Sequence, residues 1–407
     1  MNAQIIQQYD SPHQFEPLFP QERLLAPLLE KASDLIRESA SLGASAAPAA
    51  AHQLRGLLRS MNSYYTNRIE GEHTRPADIE RALRKDFSQE ADVARRQRLA
   101  VSHIQTEIEC ERRIQDLQVA GENVVPWLYS TPSLEWMHLQ LFGSLTPQDL
   151  TLIDGSLLQP GQLRTRGVAV GIHEAPTAES VPVFLNRWAE VYAGSRRGEA
   201  SVVALAAAHH RLAWVHPFLD GNGRVTRLQT HLALRAQGLT NGLWSPLRGF
   251  ARTEEKYRAL LKAADEHRRG DLDGRGNLTE AGLIDWINYT LDTCIDQVRF
   301  MRKLLDVGAM RDRILAALIF EESQKTGVRK EAALALHYLF STNSEMGRAA
   351  FKQMTGLGER VATTLISALL KNGYLASDSP YGELRFAIPH NALRFYFPEL
   401  WPEAEAV

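Results

Sequence analysis

Along this chain apolar positions recur at helical spacing far more often than they alternate, and the pattern predicts a mainly α protein. Leu24 to Ser41 carries such a repeat. Gly43 to Ala51 is small, alanine-rich and broken by Pro48, which reads as a loop; Leu54, Leu57, Leu58, Met61 and Tyr65 then trace one apolar face of a helix that ends at Gly71. Pro76 to Cys110 continues as helix with a dense mixture of Arg and Glu, a solvated face. Gly121 to Pro132 reads as a connector, with Ser133 capping a helix over Leu134 to Phe142. Val181 to Tyr192, the alanine-rich run Ser201 to Val215, Arg224 to Gln237 and Leu283 to Leu305 are further helices, and Gly270 to Asn277 is a polar loop. Period-two alternation appears at Val168, Val170 and Ile172, the mark of a short strand. From about Met310 the chain reads as a separate unit. Phe351 to Thr355, the turn Gly356-Leu357-Gly358 and Glu359 to Leu370 form a helix-turn-helix pattern, and Ser377 to Ile388 holds turn residues Pro380, Tyr381 and Gly382 between short strands, the outline of a winged helix.

Composition narrows the class. At 407 residues there is room for two or three domains, and 44% apolar residues are ample for a core. A net charge of -2 provides no overall attraction to nucleic acid or anionic membrane. Cys110 and Cys294 lie too far apart for a ligand spacing, and the reducing cytoplasm is the expected compartment. Met1 to Pro20 has no apolar signal region, and no later run is long enough to span a bilayer.

Chemistry concentrates in His216-Pro217-Phe218-Leu219-Asp220-Gly221-Asn222-Gly223-Arg224-Val225-Thr226-Arg227. The run joins two predicted helices, so Gly221 and Gly223 sit where a sharp turn exposes amide N–H groups just ahead of a helix N-terminus, an anion cradle. Arg224 and Arg227, three apart, offer planar forks for phosphate oxygens. Asp220 supplies a hard carboxylate of the kind that holds Mg2+, and His216 is the side chain that titrates near neutrality, as a general base does. A lysine of the P-loop type is absent, and Thr226 stands where a dinucleotide fingerprint needs glycine.

The stretch resembles the signature of the Fic family, His-x-Phe-x-Asp/Glu-Gly-Asn-Gly-Arg-x-x-Arg, and matches it at every specified position. The resemblance implies a Fic helical core with a short β-hairpin flap, followed here by a winged helix-turn-helix domain. It implies an enzyme moving AMP from ATP to a Ser, Thr or Tyr hydroxyl of a target protein, its own chain included. His216 would deprotonate the hydroxyl, Asp220 would hold Mg2+, Gly221, Asn222, Gly223 and Arg224 would form the anion hole, and Arg227 would hold the γ-phosphate. Thr66-Asn67-Arg68-Ile69-Glu70-Gly71 resembles the family's inhibitory motif, Ser/Thr-x-x-x-Glu-Gly/Asn, in which the glutamate pairs with the second signature arginine. Without that resemblance Glu70 faces solvent or pairs with Arg68, and at a helix C-terminus its charge costs about 0.3–1 kcal/mol unless a cation relieves it.

Pro160-Gly161-Gln162-Leu163-Arg164 and the strand at Val168, Val170 and Ile172 resemble the segment and flap that bind a target by strand addition. The sequence departs from the family in having no long aromatic or proline-rich flap after Gly171. Tyr257 falls where relatives place aromatic residues near adenine, and core packing explains it equally. His209 and His210 lack a Cys or second-motif partner and read as core or surface histidines, not zinc ligands. The expected domains are residues 1–125, helical and carrying an inhibitory helix at about 52–71; 126–300, the catalytic core; and 301–407, winged-helix-like. The tail meets protein or DNA, the latter through Arg360, Thr363, Thr364 and Lys371. Alternatives to auto-inhibited AMP transfer are AMP removal at the same site, transfer of another phosphate-containing group, or a DNA-binding regulator whose Fic fold senses a nucleotide. Some relatives dimerise.

Overall fold

The computed structural model describes residues 8–400 except 46, 47, 172, 195 and 343. The described residues cluster into two compact units, those within 1–40, 59–241 and 245–297 in one, and those within 41–58, 242–244 and 298–407 in the other. The fold is mainly helical.

Helices α1 (Glu22–Ser45) and α2 (Pro48–Ile69) open the chain. The expected loop at Gly43 to Ala51 is therefore corrected: Ala and Ser continue α1, and Pro48 begins α2 because a first-turn proline lacks only an N–H that no helical partner would take. α2 ends two residues before Gly71, whose φ of 79° turns the chain away. Pro76 to Cys110 is two helices, α3 (Pro76–Leu83) and α4 (Ala91–Val119), because Lys85 adopts the left-handed region (φ 64°) and Asp86 N–H closes back on the Arg81 carbonyl. The supposed connector holds α5 (Val124–Leu128), capped by Asn123. α6 (Thr131–Phe142) is capped by Ser130, which accepts from Ser133 N–H, so the cap lies three residues before the expected one.

A two-residue hairpin follows, β1 (Ala169–Val170) antiparallel to β2 (His173–Glu174), with Gly171 in the turn. It is shorter than the Val168, Val170, Ile172 repeat implies: Val168 precedes the strand, and Ile172 and the Val170 side chain lie outside the described residues. α7 (Val181–Tyr192), α8 (Glu199–Val215), α9 (Asn222–Ala236), α10 (Leu247–Arg252), α11 (Glu254–Ala264) and α12 (Glu280–Leu304) complete the sequence of this part.

α8 is the axis of the first unit. Its residues from Val202 to Leu212 are all buried, including His209, His210 and Arg211. α7 and α9 pack on it, and two indoles bond its carbonyls, Trp188 Nε1–H to Ala208 (3.0 Å) and Trp286 Nε1–H to Ala206 (2.7 Å). Arg211 secures the N-terminal segment, donating to the Pro17 carbonyl from Nε (3.0 Å) and Nη2 (2.8 Å). Burial pulls its pKa down to about 10.

The second unit contains α13 (Val307–Ser323), α14 (Ala333–Thr342), α15 (Arg348–Thr355), α16 (Glu359–Lys371) and α17 (Leu393–Tyr396). Gly356 (φ 66°) makes the turn between α15 and α16, and strands β3 (Leu375–Ala376) and β4 (Arg385–Phe386) pair antiparallel after them. α16 buries Ala362, Leu365, Ile366 and Leu369 and exposes Arg360, Thr363, Thr364 and Ser367. Among the described residues no helix is long and apolar enough to cross a membrane.

Replacing Arg211 by Met would leave the buried Pro17 carbonyl without its donors. We expect a loss of about 3 kcal/mol in urea unfolding, against less than about 0.5 kcal/mol for exposed Arg269→Met; equal effects would refute the anchoring role.

Candidate active site

The site begins where α8 stops. His216 caps that helix in the left-handed region (φ 49°, ψ 63°), a conformation that costs a non-glycine residue free energy and must be held by its surroundings. Arg164 is the main holder. Buried, it donates to the carbonyls of His216 (Nε, 2.8 Å), Arg166 (Nη1, 3.1 Å) and Pro176, while its own N–H bonds the Pro217 carbonyl at 2.9 Å. Burial lowers its pKa to about 10. From inside the loop, the Asn222 amide spans Phe218, accepting from its N–H and donating to its carbonyl, each at 2.8 Å. From α6, His138 Nδ1 accepts the Gly161 N–H (2.8 Å), which fixes Nε2 as the donor to the Asp220 carbonyl (3.1 Å). Gly221 (φ 80°) tolerates no side chain here: a Cβ would lie 2.4 Å from the Phe142 ring.

α9 then starts at Asn222, so its first N–H groups point out of the loop. Facing them is the end of α2. A Cβ on Gly223 would fall 2.2 Å from Glu70 Oε1, which places the carboxylate against the first turn of α9, near the helix end where an anion is favoured. Arg227, buried, bonds the same carboxylate through Nη2 and gives Nε–H to Thr66 Oγ1 (2.8 Å) and Nη2–H to the Thr66 carbonyl (3.2 Å). Arg224 Nε–H reaches Asn67 Oδ1 at 3.1 Å, and Arg258 from α11 donates to the Ile69 carbonyl at the negative end of α2. Burial alone would raise the Glu70 carboxyl; Arg227, then Arg224 and Arg258, outweigh it and hold it below its ordinary value. The cost of a carboxylate at a helix C-terminus is thus met by cations from α9 and α11.

Beside this pair lies a cavity of about 450 Å3 whose walls include His216, Gly223, Arg227, Tyr257, Lys262 and Asp265, a size suited to a small-molecule ligand. A second of about 910 Å3 is bounded by Leu219, Asp220 and Arg224. Asp220 is half exposed; Oδ1 takes the Gly221 N–H (2.6 Å) and Oδ2 stands 3.9 Å from Arg224. The His216 ring bonds the Ala213 carbonyl, and its pKa falls to about 4, chiefly through burial, with His173 and Arg164 adding to the fall. At neutral pH the imidazole is therefore unprotonated.

His216, Asn222, Gly223, Arg227 and Glu70 converge on one cavity, with Thr66 behind Arg227; Asp220 and Arg224 line the other, and Gly71 only ends α2. Tyr257 packs in the core, as one of its two readings expects, and also forms part of this cavity's wall. It is buried, accepts or donates to His209 Nε2 at 3.0 Å, and hydrogen-bonds Arg227. His209 also meets Thr230 Oγ1 (2.8 Å), and His210 the Leu261 carbonyl (3.0 Å) and Asp265 (3.1 Å), so both are bonded core histidines. Unforeseen were Arg164 as the loop clamp, His138, Arg258, and Lys262 and Asp265 in the cavity wall. Asp265 carries an available signal, since it follows Tyr257 by eight residues, about two helical turns, at the C-cap of α11.

Comparison with known proteins places this geometry. Residues 131–234 match the Fic/DOC family model. The chain is 28% identical over 131 residues, 32% of its length, to proteins called "Protein adenylyltransferase Fic" from Drosophila willistoni and Drosophila virilis. The matched stretch spans only 23% and 24% of those relatives. A solved Fic family protein from Desulfovibrio desulfuricans G20 shares the fold over 91% of this chain and 98% of its own (TM-score 0.52, 17% identity). A Fic domain containing signaling protein from Bacteroides thetaiotaomicron does so over 67% and 96% (TM-score 0.51, 16% identity). Residues 131–234 of the chain thus carry a match to the Fic/DOC family, and the fold is that of solved Fic proteins.

The lowered histidine pKa values carry a pH prediction. His216, His138 and His103 each titrate at about 4 in the folded protein, against about 6.5 unfolded. The unfolded chain takes up these protons first, so the stabilisation is complete above about pH 6.5 and drains away as pH falls toward 4, by at most about 3 kcal/mol per histidine. Urea midpoints should decline from pH 7 to 5; a flat profile would contradict the burial of these rings as neutral species.

Proposed function

We propose that this protein transfers AMP from ATP to a Ser, Thr or Tyr hydroxyl of a protein and that Glu70 restrains the reaction. The observation that supports this reading best is the Glu70 carboxylate over Gly223 and on Arg227. An anion already engages Arg227, the guanidinium that the terminal phosphate of ATP would need.

In the productive state the hydroxyl oxygen attacks the α-phosphorus, His216 takes the hydroxyl proton, and the bond to the oxygen bridging toward the β-phosphate breaks, releasing pyrophosphate. The neutral imidazole fits the base role. Backbone N–H groups at the start of α9, with Arg224, would bear the charge of the transferring group. The exposed, incompletely paired oxygen of Asp220 suits Mg2+, which keeps much of its water shell and is held by one or two carboxylates; when bound it would offset phosphate charge. Tyr257, Leu261, Lys262 and Asp265 are available for the nucleoside, and the β1–β2 hairpin offers an edge to which an extended target segment could add.

A role in reading DNA has less support. Lys352 pairs with Glu359, and Arg385 with Asp378 and Glu345, so much of the basic charge near α16 is neutralised within the tail.

Glu70→Gly should raise transfer of α-labelled phosphate to protein by about tenfold or more, and adding His216→Ala should cut it by at least about 100-fold while nucleotide binding persists. Transfer that survives loss of His216 would sink the base assignment, and a rate unchanged in Glu70→Gly would sink the restraint.

A further inference from the structure

Behind the Glu70–Arg227 contact, three helices meet at a buried polar cluster. α2 contributes Arg59 and Asn62, α4 contributes His103, Glu107 and Glu111, and α9 contributes His231 and Arg235. The spacing makes two matched faces: Asn62, Thr66 and Glu70 lie one turn apart along α2 and its last turn, and Arg227, His231 and Arg235 one turn apart along α9. Glu107, 2% exposed, sits between them. Its two oxygens accept from Asn62 Nδ2 (3.0 and 3.2 Å), and His231 Nε2 is 3.4 Å from Oε1. One turn further, Glu111 pairs with Arg59 of α2 and with Arg235 of α9 (3.1 Å).

Glu107, Glu111 and His231 bring ligand atoms within 4.8 Å of one another. A metal reading fails on charge, because Arg59 and Arg235 already neutralise Glu111 and a divalent ion would have to enter beside both guanidinium groups. His103 and His231 do not supply the missing negative charge either. Removing one member of such a buried network leaves the others unpaired, so its geometry is strongly enforced.

We propose that Glu107 is a positioning residue for α2: by holding Asn62 against α9 it sets the register that carries Glu70, two turns on, to Arg227. The proposal rests on the reading of Glu70 as a restraint. It also assigns the restraint a second site of control, since α4 touches neither Arg227 nor Glu70 through Glu107.

The test uses the full chain with Glu107→Gln, which keeps the shape and removes the charge, and Asn62→Ala, which removes the α2 donor and leaves room for water. Hydrogen exchange over residues 59–71 should speed by about tenfold in either variant while 97–115 and 224–236 keep their protection. AMP transfer should rise by about tenfold, and in a Glu70→Gly background neither variant should add to the gain. Unchanged exchange at 59–71 would overturn the proposal, as would an equal gain in transfer when Glu70 is already absent. If Glu107→Gln loses the fold, Asn62→Ala decides by the same measurements. If Glu70→Gly itself leaves transfer unchanged, the restraint reading falls, and the exchange pattern still decides whether Glu107 positions α2.

Discussion

One buried guanidinium governs this molecule. Arg227 has been taken out of water in the first turns of α9 and must find acceptors there, and α2 supplies them from the Thr66 hydroxyl, the Thr66 carbonyl and the Glu70 carboxylate. A buried arginine without such partners would be costly, so α2 and α9 are held together by the charge that the proposed chemistry needs. An ATP terminal phosphate would satisfy the same guanidinium. Under the proposed function two anions would contend for one cation, and the Glu70 carboxylate would have the advantage of being covalently present.

The rest of the catalytic unit keeps that competition well defined. His216 holds a left-handed backbone because Arg164 draws three carbonyls around it, Asn222 ties the loop to itself, and His138 fixes the Asp220 carbonyl. Arg164 and His138 need not touch a substrate. These contacts keep the α9 N–H groups open and the imidazole neutral, which is preorganisation in the sense that polar groups are aimed before the reaction begins.

Much of this was legible in the sequence, for identifiable reasons. The alanine and aliphatic content of Ser201 to Val215 marks α8 as a buried helix, the place of Val181 to Tyr192 before the signature marks α7, and the pairing of Glu70 with Arg227 follows from the resemblance of Thr66 to Gly71 to an inhibitory motif. Boundaries were misread where local chemistry is ambiguous: Pro48 signals a break as readily as a first turn, and Ser130 and Ser133 are both fair caps. The clamp by Arg164 was not readable as such, since its partners are backbone carbonyls and leave no mark in side-chain pattern. Likewise, Arg95, Arg96 and Arg98 suggested a solvated face, whereas the same helix turns His103, Glu107 and Glu111 inward, a buried polar face that charge composition alone conceals.

Calorimetric binding of ATP and of ADP, to the wild type and to Glu70→Gly, tests the central claim most directly. Only ATP has the γ-phosphate that the proposal places on Arg227, so loss of Glu70 should tighten ATP by about tenfold and change ADP far less. Equal shifts for both nucleotides, or none, would contradict the competition at Arg227.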